Sequence, residues 1–499
     1  MNGAIRLGTA AISAFALAAC NDTNSTITDL ASASAGPQAE KFPSVQNWSV
    51  TPALVKNLMG GVQAYTILGS DDELAGSPNY IFGGSADGAA LTRSRGDGTY
   101  TLLVNHEDNF SVSRVTLDRN MKPIKGEYLI NSDIGRFRLC SATLATPEVH
   151  GFGPVFLSAG ESSIESVSHA LDPFGAVGND KLLPALGHWN AENLVPLPKQ
   201  TFPGRTVIAI GDDDSGINGG QFALYVSDKV GDLDSGRLYV LAPAAGTMIE
   251  SSITVGQDIP VVFRQIEGQT QMTGAQIDAR AAALGAFQFG RVEDIDYRKG
   301  SNWANGTLQG REIFFIVTGQ DYTGANADHS RSKYGRVYRL LLDAKDPLKG
   351  TLSVVLNGDD RTGPAGTFQN PDGILVTENY FYVGEDPNGY GDETHDAYLY
   401  QYNIASGQLN VVTELDHQRT AVDADRYNVG GTSRFGSWEY GSVTDVTDLL
   451  GSPNGGTTLM VAIQPHTWTG AKYRAPDGGA TRANEQQASQ MILLTGLPR

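Results

Sequence analysis

Cysteine is nearly absent: 499 residues contain two, Cys20 and Cys140. No disulfide framework can be built from them, and each needs its own account. Charge is also sparse, at 18% of residues, against about a quarter in an average soluble domain. Basic charge is scarcer still, with 36 Lys and Arg against 55 Asp and Glu and a net charge of −19. That balance argues against nucleic acid as a partner, because a phosphate backbone selects a basic surface. With hydrophobic residues at 40%, the chain is not a disordered acidic solvator either. No segment approaches the ~20 consecutive apolar residues of a membrane-spanning helix.

What is there begins with a short apolar run from Leu7 to Ala19 behind Arg6, closing on Leu17-Ala18-Ala19-Cys20. This pattern is similar to a bacterial lipobox, with residues 1–19 as the signal peptide and Cys20 as the lipidated first residue. An ordinary signal peptide cleaved nearby is the alternative. Residues 20–45 are polar and poor in large apolar side chains, as a flexible tether is. The expectation is a protein of the bacterial cell envelope, lipid-anchored and either periplasmic or surface-exposed. Its one membrane contact is then the anchor, and a monomer is expected.

From residue 46 to 499 short β-rich runs dominate, and the 59 glycines and 22 prolines supply turns. A unit recurs: an apolar strand ending in acidic or small residues, a polar loop, an aromatic-rich strand, then another strand. TVIAIGD, QFALYV and RLYVL form one copy. IFFIVTG, GRVYRLL and TLSVVL form a second, and YFYVGED, AYLYQYN and LNVVTEL a third. Units of this length predict an all-β fold, a six-bladed β-propeller with decorated loops and a few short helices. A pair of β-sandwiches is the competing reading. One helix is predicted after Thr273, which has Gln276 three positions on, as in a capping box, and which should end at Gly285.

In a propeller the innermost strand of each blade lines the central channel, so strand ends converge on one mouth. Glu107, Glu161, Asp212 to Asp214, and Glu385 with Asp386 all close apolar strands, and Glu293 follows the predicted helix. Like charges collected in one place require protons or metal ions. Cys140 follows an apolar-basic stretch. It reads either as a small buried hydrophobe or as a thiolate ligand for a transition metal such as iron or zinc. Asp212 to Asn218 alternates oxygen donors with a glycine, as a calcium loop does, but lacks the full spacing of an EF-hand.

Several segments, scattered from about residue 100 to about 470, resemble the PhoX-type alkaline phosphatases, exported β-propellers that carry an iron and calcium cluster. They are LLVNHED at 102–108, RLCSATLATP with VFLSAGES across 138–162, GHWNAEN at 187–193, ALGAFQFGRVEDIDY at 283–297, FQNPDGILVTENYFYVGED at 368–386, and WEYGSVTDVTDLL with TTLMVAIQPH across 438–466. The resemblance implies that Glu107, Cys140, Glu161, Glu192 and Glu293 ligate metal, that Asp372 serves a calcium, and that Arg291 contacts phosphate beside Glu293. It implies a hydrolase acting on phosphate monoesters, with a small phosphoester as substrate and iron and calcium as cofactors. The chain departs from the family pattern in five places: no paired arginines in the leader, Val292 for a proline, Gly160-Glu161 for a double glutamate, an insertion between Cys140 and Glu161 in place of a Trp-rich turn, and Gln464-Pro465-His466 near the end. Other readings of the acidic strand ends are a calcium-dependent propeller lactonase or phosphodiesterase, and a non-catalytic binding propeller stabilised by calcium.

Overall fold

The computed structural model describes residues 42–96, 98–299, 310–430, 434–481 and 486–499. The expected signal peptide, Cys20 and most of the tether lie outside the described residues. Strands make up nearly all of the regular structure, in five sheets. Three have four strands, one has five and one has nine. The nine-stranded sheet is two blades joined at their outer edges, where Ile259–Ile266 pairs antiparallel with Lys349–Asn357. Counting that sheet as two gives six blades.

The innermost strands, in chain order, are Ala86–Arg93, Arg138–Ala145, Ala191–Pro196, Val292–Tyr297, Pro371–Val376 and Glu439–Asp445. Each packs against the next, and the last packs against the first, so they close a ring around a channel. The sixth blade takes its outermost strand, Gln63–Gly69, from near the start of the chain, paired with Gln490–Leu497. This join between distant segments closes the circle.

The apolar core is divided by the blades. Along the second strand of blade 4, Ile313, Phe315 and Val317 enter the cluster shared with blade 3, while Phe314 and Ile316 enter the one shared with blade 5. In blade 3, Val207 and Ala209 face blade 4, and Ile208 and Ile210 face blade 2. Side chains alternate faces along a strand, and both faces of a blade are covered, so these strands read as unbroken apolar runs. Each fully buried side chain of this kind contributes roughly 1.5–3 kcal/mol.

The predicted helix spans Gly274–Ala283, with Thr273 as its N-cap and the capping box to Gln276 present in both directions. The repeat units of the sequence are real, but each begins on a second strand. TVIAIGD, IFFIVTG and YFYVGED are the second strands of blades 3, 4 and 5. The channel-lining strands are more polar, and each comes before its run in the chain. Glu107, Glu161, Asp212 and Glu385 therefore close or follow second strands and do not end channel-lining ones.

Candidate metal centre

The six innermost strands bring their first residues to one mouth of the channel. Each carries one acid or thiol within its first three positions: Asp87, Cys140, Glu192, Glu293, Asp372 and Glu439. A register shift interrupts the pairing of every innermost strand with its neighbour at this end, between Ala86/Ala89, Leu139/Ala142, Ala191/Asn193, Val292/Ile295, Pro371/Ile374 and Tyr440/Val443. A bulge bends a strand and re-aims a side chain. In blades 1 to 5 the donor lies within the bulge, whereas in blade 6 Glu439 comes just before it.

Glycine lets the ring close tightly there. A Cβ on Gly88 would lie 2.6 Å from the Cys140 carbonyl oxygen, and one on Gly441 would lie 2.4 Å from that of Ala86. Both glycines directly follow the donor position or its neighbour, so the donors are carried on backbones in near contact. The approach to these strands is also strained. Ser85, Arg291 and Asn370 have φ of 46°, 72° and 64°, each two residues before the acid of its blade. Non-glycine residues in this region cost about 1–2 kcal/mol and persist where the surroundings hold them.

The second strands supply a further layer. Donor atoms fall into three groups, within each of which they lie within 4.8 Å of one another: Glu107, Cys140 and Glu161; Asp87, Cys140 and Glu192; Glu192, Glu293 and Asp372. The groups form a row, because Cys140 belongs to two and Glu192 to two. All six residues singled out as metal ligands are brought together in it. Asp87 and Glu439 were not read from the sequence. Their signal was the short motif Asp-Gly before an apolar strand, shared by ADGAAL and PDGILV, and the glycine one place later in EYGSV.

Burial makes the set electrostatically untenable as bare anions. It pushes the Asp87, Glu192, Glu293, Asp372 and Glu439 carboxyls well above the ordinary range, and neighbouring carboxylates add to the shift in each case. Glu161 is pushed up to about 8 by burial and by Glu107. The Cys140 thiol is raised by burial and then by Glu107, Glu161 and Glu192, and it donates to Glu161 Oε2 at 3.1 Å. Such a set is ionised together only around multivalent cations. The donor chemistry fits iron and calcium: a thiolate suits the transition metal, and an oxygen-only group suits calcium.

Two arginines border the row. Arg291 donates from Nε to Asp213 Oδ1 at 2.6 Å and from Nη2 to Asp213 Oδ2 at 3.1 Å. Its Nη2 lies 2.8 Å from Glu293 Oε1, and Nη1 donates to Asn388 Oδ1 at 2.9 Å. Burial opposes the charge of Arg291, but Asp213 and Glu293 outweigh it and hold the guanidinium firmly protonated. The fork of Arg291 is thus engaged by Asp213, a residue read from the sequence as a strand-end acid and as part of a possible calcium loop. One Nη1 hydrogen and the Asn388 amide, whose Nδ2 is buried with no partner among the described residues, remain to meet a ligand. The second arginine, Arg138, donates from Nη1 to Glu107 Oε2 at 3.2 Å. Glu107 Oε1 accepts from Gln464 Nε2 at 2.8 Å, which ties blades 1, 2 and 6.

Glu385 stands apart. It accepts from the Gln369 and Tyr398 amides, the Tyr400 hydroxyl and His395 Nε2, all within blade 5. Its carboxylate is satisfied by these partners and holds the loops of that blade.

Fold and site together define a six-bladed propeller with an acid- and thiol-lined mouth. In comparisons with solved structures the chain is similar to PhoX from Pseudomonas fluorescens in complex with vanadate, a transition state analogue. The TM-score is 0.57 at 15% identity, covering 92% of this chain and 99% of that one. This likeness concerns the fold. An exo-β-1,3-galactanase from Clostridium thermocellum has a TM-score of 0.33 at 9% identity, covering 86% of this chain and 62% of that one. A xyloglucanase from Xanthomonas campestris has a TM-score of 0.34 at 12% identity, covering 81% and 43%. No family model matches the chain, and a comparison with curated proteins finds no match.

Proposed function

We propose that this chain is a metal-dependent phosphoester hydrolase that uses an iron and calcium cluster held by Asp87, Glu107, Cys140, Glu161, Glu192, Glu293 and Asp372. The observation that carries the reading is the convergence of one acid or thiol from five of the six innermost strands, with Glu107 and Glu161, beside a braced arginine. Vanadate bound to PhoX is described as a transition state analogue, and a site for such a ligand is the chemistry supported here. Bound metals would neutralise phosphoryl oxygens and activate a nucleophile. Arg291, oriented by Asp213 and Asn388, would hold a phosphate oxygen through its remaining Nη1 hydrogen, with the Asn388 amide as a second donor. Phosphoryl transfer asks mainly for positioning and charge neutralisation, and a braced guanidinium supplies both.

The anchor at Cys20 and an exported location complete the proposal. Among the described residues no helix is long and apolar enough to cross a membrane. The test combines elemental analysis of natively purified protein with assays on p-nitrophenyl phosphate, its diester and a lactone. Iron with calcium, and turnover of the monoester, is the expected result. Calcium alone with turnover of the lactone and neither phosphoester would replace the proposal with the lactonase reading.

A further inference from the structure

The sequence Arg-x-donor occurs twice among the innermost strands: Arg138-Leu139-Cys140 in blade 2 and Arg291-Val292-Glu293 in blade 4. The two arginines belong to opposite ends of the row of donor groups. Glu107, the partner of Arg138, occurs only in the first group, and Glu293, beside Arg291, only in the last. The first and last groups share no donor, so a phosphate held at Arg291 leaves Arg138, beside the other group, to face whatever projects from it.

Arg138 is also set up differently from Arg291. Its side chain is 41% exposed, against 20% for Arg291. Among the described residues its guanidinium makes one hydrogen bond, to Glu107, so the remaining N–H groups open on the mouth. Glu107 is itself fixed by Gln464, so the cation is held in place and still accessible. A half-exposed guanidinium, anchored at one nitrogen, is arranged to take a second anion.

Resting on the hydrolase reading, we infer that Arg138 is a specificity residue that binds a second anionic group on the substrate. The preferred class is then phosphomonoesters whose alcohol part carries a carboxylate or a further phosphate. The probe is a matched pair, 3-phosphoglycerate and glycerol 3-phosphate, which differ in a carboxylate. The wild type should favour 3-phosphoglycerate in kcat/KM about ten-fold, through KM. Arg138→Gln should bring the ratio to about one, and Arg138→Lys, which keeps the charge, should retain part of it. Metal content measured alongside establishes that the cluster is intact in each variant. A ratio that Arg138→Gln leaves unchanged, or a wild type with no preference, overturns the inference while leaving the hydrolase reading in place. A wild type that hydrolyses neither ester nor p-nitrophenyl phosphate defeats the hydrolase reading. Calorimetric binding of the same two esters then decides the role of Arg138 alone: tighter 3-phosphoglycerate, lost in Arg138→Gln, supports it, and equal binding overturns it.

Discussion

Asp213→Asn isolates the brace behind the proposed phosphate-binding arginine. Asp213 accepts two hydrogen bonds from Arg291, at 2.6 and 3.1 Å, and its side chain is 5% exposed. The amide keeps the shape but turns one acceptor into a donor, which then faces an Arg291 N–H. Breaking a buried ion pair costs about 3–5 kcal/mol, and the partial exposure of Arg291 lowers this to roughly 2–3 kcal/mol. That energy holds the guanidinium in position, and its loss bounds the effect on catalysis at about 30- to 150-fold in kcat/KM. Asp213 lies outside the three donor groups, so metal content should be unchanged. Steady-state kinetics on p-nitrophenyl phosphate, metal analysis and thermal denaturation on one preparation give the three readouts. Lower kcat/KM and a lower melting temperature with full metal is the expected pattern. Metal lost in parallel with activity would make Asp213 a ligand, and full activity would show that Arg291 does not act on the phosphate.

Three other perturbations are informative. Cys140→Ser should remove the thiolate-to-metal absorption band and most of the iron while retaining calcium, by spectroscopy and elemental analysis. Cys20→Ala should release the protein from the membrane fraction or leave its leader unprocessed, and unchanged fractionation with unchanged mature mass would refute the anchor. His150, near the far end of the channel, has its pKa lowered to about 4 by burial and by Lys299. Its neutral form is favoured in the fold, so the stability is full above pH 6.5 and falls as the pH drops toward 4. Between pH 8 and pH 5 the stability difference between wild type and His150→Gln should shrink by about 2 kcal/mol in urea denaturation.

The legible parts of the fold were those with a strong apolar signal. IFFIVTG and TVIAIGD are buried on both faces, so their period and length marked the repeat. ADGAALTR and VEDIDY line a channel and hold polar side chains, so they lack that signal and the repeat was read one strand late. The same cause hid part of the site. Glu293 was singled out after the predicted helix and again by the resemblance of its segment, whereas Asp87 and Glu439 stand at strand starts, where donors look like turn residues. The two hydrogen bonds between Asp213 and Arg291 cross 78 positions of sequence, and no local pattern announces a contact of that range. Glu385 shows the opposite error: it closes an apolar strand as Glu107 follows one, yet its carboxylate is occupied within its own blade.

The closure of the ring has a consequence for when the centre can first hold an ion. The donors of the three groups come from blades 1 to 5, and the last blade needs Gln63–Gly69 beside Gln490–Leu497 before its edge is complete. A partly made or partly threaded chain with three blades has Asp87, Cys140 and Glu192 but not Glu293, Asp372 or Glu439. With Glu107 and Glu161 it offers both oxygen-and-sulfur groups, but neither the oxygen-only group nor an enclosing wall. Any cations held across all three groups would therefore be ones present where the later blades dock, so the compartment of folding, more than the compartment of synthesis, would set their identity.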